Sequence, residues 1–140
     1  MTEPISTVHA FLTELAGSYD ALVGAIRGRC SEDCVWSNTG FPDAPGREAM
    51  IALMDGMRAA GIEALEIELR NIAAVDATTV LTERIDRVLD AAGVVTHAAA
   101  VMGTFEVRDG LICAWRDYFD PAPFLAAAAA TSGASPLPSS

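Results

Sequence analysis

Gly110-Leu-Ile-Cys-Ala-Trp-Arg-Asp-Tyr-Phe-Asp120 is a stretch in which a strand pattern carries a carboxylate in an apolar setting. In a β-strand, successive side chains point to opposite faces of the sheet, so alternate residues share a face. Asp117 therefore shares its face with Leu111, Cys113, Trp115 and Phe119. A carboxylate among apolar side chains costs free energy unless it has a charged partner, and such surroundings raise its pKa. We therefore expect Asp117 to have a cationic partner elsewhere in the chain.

The best candidate for that partner lies in a second strand pattern, Val80–Leu89. Alternation places Arg84 and Asp86 on one face of this strand. The opposite face alternates apolar and charged residues, which is typical of a packed but partly hydrated reverse side. If the faces that carry Asp117 and Arg84 line the same cavity, one guanidinium bridges two carboxylates. Such a group is either a structural ion-pair network or a catalytic site, and the pattern alone leaves both readings open.

The composition narrows the class of protein. The chain has 140 residues, of which 51% are hydrophobic and 20% charged, which is typical of one globular domain. No apolar run approaches the roughly 20 residues of a membrane span, and the first five residues lack signal-peptide features, so we expect a cytoplasmic protein without a membrane partner. The net charge of −10 and the scattered basic residues argue against nucleic acid as a partner.

The cysteines and histidines predict no metal centre. Cys30, Cys34 and Cys113 form an odd set that fits reduced thiols better than a disulfide framework. The two histidines, His9 and His97, are far apart in the sequence, and no cluster of metal-ligand spacing surrounds them. We therefore expect neither a metal nor another cofactor.

The order of the predicted elements indicates the architecture. Helical spacing of apolar residues predicts two helices between Ile5 and Arg27 and a third from Arg47 to Ala60. Patterns of period two predict strands over residues 33–38, 62–75, 80–89, 94–107 and 111–119, the last four joined by hairpin turns. Helices followed by an antiparallel meander indicate an α+β fold, in which a strongly curved sheet covered by the N-terminal helices forms a cone around a pocket.

The C-terminal part of the chain carries weaker signals. Residues 121–130 permit a short helix, and residues 131–140 are too small and polar to pack. We expect one domain over residues 1–130 and a flexible tail over residues 131–140.

Five short motifs resemble the limonene-1,2-epoxide hydrolase family. They are Trp-Ser-Asn38, Thr-Glu-Arg-Ile-Asp86, Gly103-Thr-Phe-Glu-Val, Asp-Gly110 and Trp-Arg-Asp-Tyr-Phe-Asp120. Their order and spacing agree with the family across about residues 30 to 125. The resemblance implies the cone-shaped, mostly antiparallel fold of nuclear transport factor 2-like and SnoaL-like proteins, usually as a homodimer. It also implies an apolar small-molecule epoxide as substrate and no cofactor.

The resemblance also implies roles for individual residues. Matching motif to motif, Asp117 takes a proton from water, Asp86 protonates the epoxide oxygen, and Arg84 bridges the two aspartates. Asn38 stands where the family has an asparagine that holds the attacking water. Trp36 stands where the family has a tyrosine, and an indole N–H can donate a hydrogen bond but cannot accept a proton.

The resemblance also implies which residues form the wall of the pocket and which functions the pocket can serve. The family positions of the wall fall on Leu53, Met57, Val88, Ala99, Val101, Phe119 and Phe124. The leading hypothesis is an epoxide hydrolase that forms a vicinal diol from a terpenoid-like or polyketide-like substrate. An intramolecular epoxide-opening cyclase, an isomerase and a non-catalytic binding protein of the same fold are the alternatives, because a carboxylate base opposite a protonated carboxyl serves those reactions too.

Overall fold

The computed structural model describes residues 3–131, and the tail predicted beyond them lies outside the described residues. Within this range the elements are α1 (Glu3–Leu15), β1 (Gly17–Ser18), α2 (Tyr19–Arg29), β2 (Cys30–Asn38), β3 (Ala44–Pro45), α3 (Arg47–Ala59), β4 (Ala64–Ala74), β5 (Thr79–Leu89), β6 (Val95–Arg108), β7 (Leu111–Tyr118) and α4 (Ala122–Thr131). None of the helices in this range is long and apolar enough to cross a membrane.

The strands form one seven-stranded mixed sheet in the order β1-β4-β5-β6-β7-β2-β3. Strands β4 to β7 are consecutive antiparallel neighbours, as the hairpin turns predict. Strand β2 instead joins the far side of β7 in a parallel pairing, which the sequence did not indicate. This pairing sets Trp36 opposite Trp115 and Asn38 opposite Asp117. Residues far apart in the chain thereby become neighbours on the sheet.

The N-terminal helices cover the sheet because their apolar residues recur at helical spacing. Helix α1 buries Val8, Phe11, Leu12 and Leu15, which lie on one face at intervals of three and four residues. Phe11 meets the ring of Trp115 edge-on at a centroid distance of 5.2 Å, which fixes the helix over β7. Ser18 caps helix α2, since its Oγ accepts a hydrogen bond of 3.3 Å from the Ala21 N–H.

In strand β7, the side chains that face the interior differ in part from the sequence prediction. Simple alternation put Leu111 and Cys113 on the face of Asp117, but Ile112 is fully buried and Leu111 is 36% exposed. The cause is a β-bulge at Cys113, because Val107 pairs with Ile112 whereas the adjacent Glu106 pairs with Ala114. After the bulge the alternation resumes, so Trp115 and Asp117 face the interior as predicted.

Most other boundaries differ from the predictions by one or two residues, with one exception. Strand β2 begins at Cys30, directly after helix α2, and not at Asp33. Glu32 and Asp33 are exposed residues of this strand. The α+β architecture with a curved sheet under the N-terminal helices is confirmed.

Candidate active site

The concave side of the sheet encloses a cavity of about 720 Å³. Most of its wall is apolar, and residues from β2, α3, the inner faces of β5 to β7, and α4 contribute to it. Six of the seven wall residues expected from the sequence line this cavity, namely Leu53, Met57, Ala99, Val101, Phe119 and Phe124. A volume of this size suits a small organic ligand.

Val88 is the expected wall residue that the structure does not place at the cavity. Its side chain is buried, but it is not among the residues that line the space. Its cross-strand neighbours Leu65 and His97 are both larger and both reach the cavity at this level. Alternation along β5 therefore predicts the correct face of the sheet for Val88. The side chains that reach the cavity at this level are those of its two larger neighbours.

Arg84 is buried beside Asp86 and Asp117, which line the cavity, and it uses all five of its N–H groups. Its Nε and Nη2 donate to the two carboxylate oxygens of Asp86 over 3.1 and 2.8 Å. Its Nη1 and Nη2 donate to the two oxygens of Asp117 over 3.1 and 2.8 Å. The remaining Nη1 proton goes to the hydroxyl of Thr82 at 3.1 Å. One guanidinium therefore holds both carboxylates in fixed, doubly hydrogen-bonded positions.

Asp117 is the more deeply buried of the two carboxylates. It is 5% exposed and accepts a third hydrogen bond from the indole Nε1 of Trp115, at 2.9 Å from its Oδ1. Burial raises the pKa of Asp117 above its usual value, the charge of Arg84 opposes that rise, and the charge of Asp86 adds to it. Asp117 is thus a carboxylate with a stronger affinity for a proton than an ordinary aspartate.

The charge of the group is unbalanced when both carboxylates are ionised. Burial disfavours the charge on Arg84, but the neighbouring Asp117 and Asp86 outweigh this effect and raise its pKa, so the guanidinium stays protonated. One positive and two negative charges then share a largely dry space. A single proton held between the two aspartates relieves the excess negative charge.

Thr82 and Gly103 support the positions of Arg84 and Asp117. The hydroxyl of Thr82 accepts from Arg84 and donates to the carbonyl oxygen of Gly103 over 3.1 Å. A Cβ on Gly103 would lie 2.5 Å from Oδ1 of Asp117 and would also collide with Nη1 of Arg84. The absence of a side chain at Gly103 therefore lets the guanidinium and the carboxylate meet above the strand.

Asn38 and Trp36 line the cavity from β2, on the face predicted for them. The parallel pairing puts Asn38 beside Asp117. The Trp36 ring stacks on that of Trp115 with a centroid distance of 4.4 Å and an interplanar angle of 12°. Its Nε1 is buried and has no hydrogen-bond acceptor among the described residues. The role of Trp36 as a donor to the attacking water stays a prediction.

Three residues of the site were not predicted from the sequence. Trp115 and Thr82 each precede a predicted site residue by two positions on the same face of a strand, so the alternation rule could have found both. Gly103 gives no such signal, because a residue without a side chain has no apolar or polar pattern. Among residues 3–131, no three His, Cys, Asp or Glu side chains come together as a possible metal site.

Comparisons of the sequence with known proteins point to one family. The family model of the limonene-1,2-epoxide hydrolase catalytic domain matches residues 2–130. The epoxide hydrolase EphG of Mycobacterium tuberculosis (strain ATCC 25618 / H37Rv) is 38% identical over 113 residues, which are 81% of this chain and 70% of EphG.

Solved structures extend the likeness to the whole fold. An LEH-like epoxide hydrolase from M. tuberculosis superposes with a TM-score of 0.68 at 30% identity, covering 94% of this chain and 93% of that one. A SnoaL-like protein from Jannaschia sp. CCS1 superposes with a TM-score of 0.70 at 17% identity, covering 96% of this chain and 94% of that one. The second likeness concerns the fold alone, and it confirms the cone-shaped fold expected from the motifs.

Proposed function

Because the chain belongs to the limonene-1,2-epoxide hydrolase family, we propose that it adds water to an apolar epoxide of terpenoid-like or polyketide-like size and forms a vicinal diol without a cofactor. Membership makes it an epoxide hydrolase at the level of the family. The observation that carries the finer proposal is the bridge from Arg84 to Asp86 and Asp117 at the end of an apolar cavity.

The proposed reaction is a single displacement by water. Asp117 removes a proton from a water molecule while the water oxygen attacks one carbon of the epoxide ring. The bond from that carbon to the epoxide oxygen breaks, and Asp86 gives its proton to this oxygen. Asp117 ends with the proton and Asp86 ends ionised, so the pair carries one proton before and after the step. The proton returns to Asp86 before the next turnover.

Hydrogen bonding favours this division of roles. Asp117 accepts three hydrogen bonds, two from Arg84 and one from Trp115, and these stabilise an ionised carboxylate. Asp86 accepts only the two bonds from Arg84, and its side chain is 20% exposed at the cavity wall. It has room for a proton that points to the ligand. The raised pKa makes the ionised carboxylate of Asp117 a stronger base than that of an ordinary aspartate.

The neighbours of Asp117 support the placement of the water. Asn38 lies opposite Asp117 in the register of β2 and β7 and lines the same cavity. Its amide can both donate and accept, so it can orient a water that Asp117 deprotonates. We assign Trp36 to the cavity wall, where its ring stacks on Trp115 and keeps the neighbouring indole in place.

Two further proposals concern the state of the protein. We propose a homodimer that buries the outer face of β5 to β7, where Leu81, Met102 and Tyr118 are exposed. We also propose a cytoplasmic location, which the three free cysteines support, because thiols stay reduced in the cytosol.

The function is tested by diol formation from a panel of epoxides. Asp117→Asn and Asp86→Asn should each lower turnover by about 10² or more, because general acid or base catalysis contributes that much or more. Asp33→Asn is the matched control, since Asp33 is exposed on β2, and it should turn over normally. A folded Asp117→Asn variant that hydrolyses epoxides at the wild-type rate would refute the mechanism. Wild-type protein without diol from any epoxide would refute the function.

A further inference from the structure

The cavity has a second polar region, well separated from the aspartate pair. Asp90, Thr96 and His97 line it where β5 ends and β6 begins, and we call them the distal cluster. Thr96 is exposed, so this region lies at the solvent-facing end of the cavity, whereas Asp117 lies at the buried end. The wall between the two ends is mainly apolar.

A chain of hydrogen bonds sets the chemical character of His97. The hydroxyl of Thr96 donates to the carbonyl oxygen of Val88 over 3.3 Å. Because this hydroxyl is directed at Val88, we assign Nδ1 of His97, which lies 3.1 Å from the hydroxyl oxygen, as the donor to Thr96. A neutral imidazole with its proton on Nδ1 has an unprotonated Nε2. The chain thus leaves His97 with an unused acceptor.

Aromatic packing fixes the orientation of this ring. Phe124 of α4 stacks on His97 with a centroid distance of 5.2 Å and an interplanar angle of 28°. Phe124 in turn meets Phe119 edge-on at 5.6 Å. The hydrogen bond to Thr96 and the contact with Phe124 hold the imidazole from two directions. A ring held in this way presents Nε2 in one position.

Asp90 adds a second unused acceptor. Its Oδ1 accepts from the N–H groups of Ala92 and Val94, at 2.9 and 3.0 Å, and so closes the turn between β5 and β6. Its Oδ2 accepts no hydrogen bond from any described residue. The distal cluster therefore offers two acceptors, one on His97 and one on Asp90, next to an apolar wall.

We propose that the distal cluster binds a hydroxyl group of the substrate, so that the substrate is an epoxide that carries an alcohol at its far end. The inference rests on the proposed function, because that function places the epoxide between Asp86 and Asp117. Ala99 lies opposite Asp86, His97 is two residues further along β6, and Asp90 is four residues beyond Asp86. With a rise of about 3.3 Å per residue, the alcohol lies about 7 to 13 Å from the ring oxygen.

The number of acceptors favours a hydroxyl over an ammonium group. A hydroxyl needs one acceptor, and the second acceptor can hold an ordered water or the same proton from another side. An ammonium group is attracted by the carboxylate of Asp90, but it brings three protons to two unused acceptor atoms, and the adjoining apolar wall disfavours its full charge. A substrate without a donor at this end would form no hydrogen bond with either acceptor.

The test compares two alicyclic epoxides with the same alkyl chain, one ending in a hydroxyl and one in a methyl group. Wild-type protein should favour the hydroxyl compound about threefold to tenfold in kcat/KM, the range expected for one net hydrogen bond. His97→Phe keeps the ring packing on Phe124 but loses Nε2, so it should abolish the preference. His97→Gln retains an acceptor and should restore part of it. His9→Phe is the control, because His9 is exposed on α1, and it should keep the full preference.

A binding experiment separates this inference from the proposed function. Saturated cyclic ethers that replace the epoxide cannot react, so their dissociation constants report recognition alone. The hydroxyl-terminated ether should bind about threefold to tenfold more tightly than the methyl-terminated one, and His97→Phe should remove this difference. That result without diol formation from any epoxide would refute the hydrolase and support the distal cluster. Equal binding of both ethers, or tighter binding of an amine-terminated ether than of the alcohol, would overturn the inference.

Discussion

Trp36 and Trp115 stack face to face across β2 and β7, yet among the described residues only Trp115 has an acceptor for its indole N–H. The N–H of Trp115 donates to Asp117 over 2.9 Å, whereas the N–H of Trp36 is buried without an acceptor among the described residues. The two indole side chains are chemically identical and in contact, but only that of Trp115 donates a hydrogen bond to Asp117, the proposed base. This difference makes them a matched pair for mutation.

Trp115→Phe should reduce turnover by about tenfold, and Trp36→Phe should reduce it much less. The first change removes a hydrogen bond to an ionised group, which contributes about 1.5 to 3 kcal/mol, and it leaves Asp117 with two donors. The second removes an N–H that has no acceptor among the described residues, while the phenyl ring keeps part of the stack. The measurement is kcat for both variants beside their melting temperatures. A larger loss of kcat in folded Trp36→Phe than in Trp115→Phe would contradict this account.

Gly103→Ala should nearly abolish activity, because its Cβ would occupy the space where Arg84 meets Asp117. The backbone of β6 cannot move away easily, since it is paired with β5 on one side and β7 on the other. Gly28→Ala is the control, because a Cβ at this position in helix α2 meets no other atom within 4 Å. It should preserve activity. The prediction is wrong if kcat/KM of a folded Gly103→Ala variant matches that of Gly28→Ala.

The raised pKa of Asp117 predicts a loss of activity on the acid side. A base must be ionised to accept a proton, so kcat/KM should fall as the pH drops through the pKa of Asp117 in the free enzyme. Burial places that pKa above the usual value of 3.8. The profile of kcat/KM against pH should therefore bend at a pH clearly above 3.8. Full activity down to pH 4 would contradict the assignment of Asp117 as the base.

The same pKa shift predicts how stability depends on pH. A carboxyl whose pKa is higher in the folded than in the unfolded protein favours folding while it is protonated, and this contribution is lost as the pH rises through the folded pKa. The free energy of unfolding of wild type minus that of Asp117→Asn should therefore decrease as the pH rises from the ordinary pKa of an aspartate to the higher pKa of Asp117 in the folded protein. The acidic surface residues with lowered pKa are present in both proteins, so their effects cancel. A difference that increases over this range would show that the pKa of Asp117 is lowered.

The outer face of the sheet predicts the oligomeric state. Met102 and Tyr118 are paired across β6 and β7 and are each 54% exposed, and Leu81 on β5 is 41% exposed. Met102→Glu should place a charge in the proposed contact and shift the protein from dimer to monomer in sedimentation velocity. Val75→Glu changes an equally exposed residue just after β4, and should leave the dimer intact. A wild-type protein that sediments only as a monomer at micromolar concentration would refute the dimer.

Alternation along β5 and β7 was enough to predict the Asp117, Arg84 and Asp86 group, because both strands are regular where these residues lie. The same rule would have found Thr82 and Trp115. It was wrong for Leu111, since the bulge at Cys113 reverses the faces before it. A bulge adds one residue to one strand and leaves no local mark in the sequence.

The parallel pairing of β2 with β7 could not be read from the sequence for a different reason. No turn connects the two strands, and more than 70 residues separate Asn38 from Leu111. Only the closure of the sheet brings Asn38 next to Asp117 and Trp36 next to Trp115. The need for Gly103 has another cause, because it depends on how closely the side chains of Arg84 on β5 and Asp117 on β7 approach this residue of β6.

The central claim is direct attack by water, and a single-turnover reaction in water labelled with ¹⁸O tests it most directly. With enzyme in excess over an epoxide, the account predicts one ¹⁸O in every diol molecule from the first turnover and none in the carboxylates of Asp86 and Asp117. Attack by a carboxylate through an ester would instead give a first diol with an unlabelled oxygen from the protein and would leave ¹⁸O in that aspartate. An unlabelled diol from the first turnover would contradict the account. A cyclised or isomerised product, which contains no solvent oxygen, would contradict it as well.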